Sequence, residues 1–138
     1  MRDERGFTLI EVLVVILVIG VLAAIALPLF AGKKDLAQDT DAKSNARNLV
    51  SYMDSCYTAK EDFTKCQTQA DSEANDLDWG SGPGQVSVTD ATRTSYEVTA
   101  VSSATTGGSN NRFMIARSIG AAPQRTCTGT AACKSGTW

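Results

Sequence analysis

Residues 6–30 read GFTLIEVLVVILVIGVLAAIALPLF, and the rest of the molecule is best understood outward from this stretch. From Val12 to Leu27 sixteen consecutive residues are apolar or glycine, and between Arg5 and Lys33 the single charged side chain is Glu11. As a helix, the run from Phe7 to Leu27 spans about 32 Å, the thickness of a bilayer core. It has no polar face, which predicts a helix surrounded by lipid or by other apolar helices. The Val and Ile residues crowded between Val12 and Val21 make a poor helix in water. In lipid that weakness matters little, because the backbone can bond only to itself.

Three readings of the segment compete. Ala24-Ile25-Ala26 has the small-x-small form of a secretory cleavage site, but the preceding MRDERG is not net positive as such signals require. A plain single-span anchor is the second, with Arg2 and Arg5 on one flank and Lys33 and Lys34 on the other. The third must account for Glu11. A carboxylate in a spanning helix costs on the order of 2.5–3.5 kcal/mol, less near the helix end. Glu11 is either a hydrated acid favoured by the helix N-terminus or one kept for a cationic partner.

The order Gly6-Phe7-Thr8-Leu9-Ile10-Glu11-Val12 behind a short charged leader resembles the type IV prepilin motif. Gly20 and Pro28 stand where that family places a glycine and a proline in its long first helix. The resemblance implies cleavage between Gly6 and Phe7 by a prepilin peptidase that also N-methylates Phe7. It implies a precursor held in the cytoplasmic membrane, then extraction by inner-membrane assembly machinery into an extracellular helical homopolymer. Phe7, Glu11, Gly20 and Pro28 are its assembly residues, with Glu11 meeting the new Phe7 amine of a neighbouring subunit. The residues alone also allow that pair within one helix. In filaments of this family the helix between Gly20 and Pro28 can lose its hydrogen bonds and extend; for the monomer a simple kink at Pro28 is the alternative.

After Gly32 the chain becomes polar and keeps a helical period. Leu36, Ala46, Leu49, Val50, Met53, Cys56 and Tyr57 share one stripe, which predicts an amphipathic helix to about Thr58. Ala59–Gly84 reads as a connector with an acidic run (Asp71, Glu73, Asp76, Asp78), more plausibly solvated loop than a calcium site. Strands are predicted at Gln85–Thr89, Thr94–Ser102 (Tyr96, Val98 and Ala100 on one face) and Arg112–Ile119 (Phe113, Ile115 and Ile119 on one face), with Ser103–Asn111 a flexible turn joining the last two into a hairpin. The fold class is therefore α+β: a long helix, hydrophobic then amphipathic, packed on a small antiparallel sheet, as in type IV pilins. The divisions are a leader at 1–6, an apolar helix at 7–30, an amphipathic helix at 31–58 and a β-rich head at 59–138.

Cys56, Cys66, Cys127 and Cys133 fit disulfides better than zinc, and pairing of chain neighbours closes the smallest loops. Three connectivities remain open on sequence grounds. Trp138 reads as a packing cap. The chain has no histidine and no phosphate-cradling glycine motif, which argues against an enzyme; no cofactor or metal is expected. Thirteen Lys+Arg against fifteen Asp+Glu leave a net charge of −2, which opposes a broad nucleic-acid surface. The resemblance thus implies a structural subunit of a type IV pilus, read as its major pilin. The alternatives are a secretion-type pseudopilin, a competence pilin contacting DNA through Arg112, Arg117, Arg125 and Lys134, and more remotely a membrane-tethered enzyme.

Overall fold

The computed structural model describes residues 6–138, and the chain divides into two compact units, Met1–Lys33 and Lys34–Trp138. Most of the charged leader, with Arg2, Asp3, Glu4 and Arg5, lies outside the described residues. Helix α1 (Leu9–Lys60) begins in the first unit and ends in the second.

Within the first unit α1 is apolar on every side. Its side chains from Val12 to Leu22 are each half exposed or more, wherever they point on the helix. The helix continues through Pro28, whose missing N–H leaves one carbonyl on the preceding turn without its partner. An 18-residue window in this region is long and apolar enough to cross a membrane, and none of it is buried.

Within the second unit the helix is two-faced. Asp39, Ala42, Ala46, Leu49, Met53 and Cys56 recur at alternating steps of three and four, and all are buried. This stripe packs against Val86, Tyr96, Val98, Ala100, Phe113 and Ile115. Leu36, predicted to join it, is 41% exposed; the buried face starts one turn later, at Asp39. The helix ends at Lys60 because Glu61 turns left-handed (φ 53°) and its N–H closes on the Tyr57 carbonyl.

The connector is more ordered than a loop. A 3-10 turn (Phe63–Cys66) is capped by Asp62, and α2 (Gln69–Ser72) by Thr68. Phe63 stacks on Tyr57 with centroids 4.3 Å apart and tilts against Tyr96 at 4.6 Å, fastening the connector to helix and sheet.

Four antiparallel strands follow in the order β1 (Val86–Ala91), β2 (Ser95–Thr106), β3 (Ser109–Ser118) and β4 (Gln124–Thr128). The hairpin expected through Ser103–Asn111 is present, but its turn is tight rather than flexible. Both β2 and β3 run into it, leaving Gly107-Gly108 as a two-residue turn with φ of 61° and 82°, a conformation glycine adopts without strain. β4 is a correction: it pairs with β3 from Arg112↔Thr128 to Ala116↔Gln124. Ile119, expected on one face with Phe113 and Ile115, lies past the end of β3 and is 53% exposed.

Both sheet edges are covered at one point. Val86 of β1 exchanges bonds with Asp78 and Gly80 (2.8 and 2.9 Å), and on β4 the Cys127 N–H bonds the Gly136 carbonyl at 2.9 Å. These contacts oppose open-edge pairing with another chain. The α+β class read from the sequence is borne out.

Candidate assembly site

The start of α1 is built by four residues with distinct roles. Gly6, Phe7 and Thr8 are non-helical, so the Gly6–Phe7 peptide bond lies in exposed, irregular backbone. Phe7 is 84% exposed. Thr8 and Glu11 form a reciprocal cap. The Thr8 hydroxyl accepts from the Glu11 N–H at 3.3 Å, while a Glu11 carboxylate oxygen accepts from the Thr8 N–H at 3.2 Å and its hydroxyl at 3.1 Å. This is a capping box, and it satisfies donors that no helix can satisfy internally at its start. Glu11 is therefore occupied within its own chain, on the positive end of the helix dipole.

Thr8 was not among the residues singled out from sequence, although Thr-x-x-Glu before an apolar run is a legible signature. Gly20 lies on the same helix with open space where a side chain would begin. It lines a shallow apolar groove with Leu13, Ile16, Leu17, Val21 and Ala24. Small residues of this kind let helices approach closely in an apolar medium. Pro28 lies about 12 Å farther along the axis. The structure thus joins Glu11 to Thr8 and leaves Gly20 and Pro28 strung out along the same rod.

The cysteines stand apart, in the second unit. Cys56 pairs with Cys66 and Cys127 with Cys133, with Cα–Cα distances of 6.1 and 5.7 Å. The first bridge ties the end of α1 to the 3-10 turn; the second closes the tail beyond β4. Among the described residues no group of three His, Cys, Asp or Glu side chains is placed to hold a metal ion.

Three polar clusters of the second unit escaped the sequence reading. Asp39 is fully buried, and its carboxylate accepts from Asn111 Nδ2 (3.0 and 3.1 Å) and the Ala132 N–H (3.1 Å). Asn111 Oδ1 is buried without a partner, and a Cβ on Gly129 would come within 2.3 Å of it. In the second, Asp54 accepts from the Tyr96 hydroxyl at 3.1 Å and pairs with Arg117. Burial and the neighbouring Asp54 push the Tyr96 hydroxyl well above its ordinary value. In the third, Trp138 donates from Nε1 to the Thr126 carbonyl at 2.9 Å, edge-on to Phe113. Lys43, Arg47 and Arg125 lie 5.6, 5.1 and 5.5 Å from its ring centre. Burial lowers the Lys43 ammonium, against the raising effect of Asp39.

Residues 1–27 match the family described as the prokaryotic N-terminal methylation motif. The relatives narrow it. A fimbrial protein of Pseudomonas aeruginosa is 35% identical over 97 residues, covering 65% of this chain and 62% of that protein. The type IV major pilin protein PilA of Myxococcus xanthus is 38% identical over 61 residues, covering 44% of this chain and 28% of its own. The type II secretion system core protein G of Dickeya chrysanthemi is 43% identical over 53 residues, covering 38% and 35%. No solved structure matches significantly. The resemblance to type IV pilins is borne out by these similarities, and the long helix on a four-stranded antiparallel sheet is consistent with the pilin fold.

Proposed function

We propose that this chain is a major structural subunit of a type IV pilus and has no catalytic role. Peptidase cleavage after Gly6 and N-methylation create a mature chain beginning at Phe7. The precursor waits in the cytoplasmic membrane and the inner-membrane machinery adds it to a surface filament. One observation carries the reading: a helix half that is apolar and exposed all round, headed by a single carboxylate beside an exposed Gly6–Phe7 bond. Such a rod is stable in lipid or among copies of itself, and polymerisation exchanges one apolar medium for the other.

Cleavage gives Phe7 an α-amine with an ordinary pKa of about 7.7–8.0, altered by methylation. Thr8 keeps its hydroxyl and N–H, so the Glu11 box survives the cut as a resting state. Exchange of that box for the neighbouring subunit's amine replaces neutral donors by a cationic one, an ion pair, and fixes axial register. Gly20 and Pro28 weaken the helix between them, which is where a loaded filament lengthens. The disulfides hold the head closed at the outer surface.

The match to core protein G, 43% identical over 53 residues, favours a second reading, a pseudopilin of a secretion machine. Shearing cells that express this chain separates the two: long filaments built of it support the pilus, and a short envelope-bound stub supports the pseudopilin. A Glu11→Ala variant should be cut normally and incorporated about tenfold less, given what an unpaired buried cation costs. Normal incorporation removes Glu11 from the account.

A further inference from the structure

Charge is segregated along the head. Residues 61–97 hold eight Asp or Glu and two Lys or Arg, whereas residues 98–138 hold four Lys or Arg and no acid. The sheet order turns this segregation into two surfaces. The acidic connector leads into β1 at one edge, while Arg125 lies on β4 at the other, with Arg112 on the adjacent strand β3. Helix α1 adds Lys43 and Arg47 to the basic side, where they gather with Arg125 round Trp138. The charge of Lys134 reaches Lys43 as well. Asp39, the acid beside Lys43, is fully buried and held by Asn111 and Ala132.

Neither surface is neutralised inside one copy. Among the described residues the ion pairs of the head are Lys60–Asp71 and Arg117–Asp54, and neither joins the acidic connector to the cations round Trp138. Glu73, Asp76 and Asp78 are exposed, as are Arg47, Arg125 and Lys134. Crowded like charges repel unless a counter-charge arrives.

We propose that the cation-ringed Trp138 surface of one copy docks on the acidic connector, centred on Glu73, Asp76 and Asp78, of a second copy. The inference rests on the polymer reading above. Two unlike patches on one chain make a heterologous contact, which repeats from copy to copy and suits an open helical array. A two-fold contact centred on either patch would bring like charges together. Trp138 gives the basic side a rigid, half-buried anchor and the arginines a planar surface to stack on. The contact fixes which heads are neighbours, while the apolar helices supply cohesion.

Charge reversal in the full-length chain, read as yield of sheared filaments, tests the docking. Arg125→Glu with Lys134→Glu, and separately Asp76→Lys with Asp78→Lys, should each lower yield about tenfold by placing like charges together. The two pairs combined should restore most of it, and raised salt should shorten wild-type filaments. Thermal melting of each detergent-solubilised subunit establishes that the heads are folded, and rescue by the combined variant could not arise from misfolding. One-sided variants that polymerise like the wild type would overturn the proposal and leave the pilus reading intact. So would a basic-side variant with normal filaments that no longer hold a duplex oligonucleotide, which would assign that surface to a polyanion. Absence of filaments from the wild-type chain would instead defeat the pilus reading, and this inference with it.

Discussion

Glu11 is legible in sequence as a costly residue, and Thr8, three positions earlier, shows how that cost is met inside one chain. The cap in the structure corresponds to the acid favoured at a helix N-terminus, with a named hydroxyl as its partner. Asp39 is the opposite case. Its position in the apolar stripe is visible, yet its partners Asn111 and Ala132 are over seventy residues away, and no local pattern connects them. Asn111→Leu should destabilise the head by about 2–4 kcal/mol in thermal melting, because it strips a buried carboxylate of the Nδ2 donor that both its oxygens share. Gly129→Ala should also be harmful, through its clash with Asn111 and its positive φ of 113°, and Asn111→Ala should relieve the clash and leave the backbone strain. Tyr96 makes a pH-dependent prediction. Between its ordinary value of 10.0 and its raised folded value, the unfolded chain releases the phenolic proton and the folded chain keeps it. Head stability therefore falls as pH climbs above 10.0, and Tyr96→Phe should flatten that fall relative to wild type.

Elements were readable where a periodic pattern carried them. The apolar half of α1, its amphipathic half and the inward alternation of Val98, Ala100, Phe113 and Ile115 all follow from side-chain spacing. β4 had no such signal: in Gln124–Thr128 Cys127 alone is buried. That strand exists through pairing with β3 and the closure of the tail. The hairpin between β2 and β3 is legible in its Gly-rich link; the tightness of the Gly107-Gly108 turn is masked by polar Thr, Ser and Asn neighbours that the strands themselves absorb. Ile119 has the parity of an inward residue, but the strand ends one position earlier. The Cys127–Cys133 bridge holds the segment that offers the Ala132 N–H to Asp39 and the Ala132 carbonyl to Lys43 at 2.6 Å. Replacing both of these cysteines by serine should lower head stability by about 2–4 kcal/mol, checked by melting with and without reductant. It should also detach Trp138 from the sheet, seen as a change in tryptophan fluorescence.

At the scale of the molecule, one unit has no interior of its own and the other has a closed core. A net charge of −2 hides that division and hides the head's polarity as well, since an acidic stretch and a basic one nearly cancel. The head's order in space, not composition, turns charge into two surfaces. The apolar rod supplies cohesion without direction, and the head supplies direction through unlike patches. Both depend on the rod being released with a free amine beside its single acid. The most direct measurement is therefore the mass of the intact subunit and of its N-terminal peptide, taken from filaments sheared off cells. The account predicts a chain beginning with N-methylated Phe7, with Gly6 and everything before it gone. A subunit still beginning at Met1, or one beginning after Ala26, would contradict it.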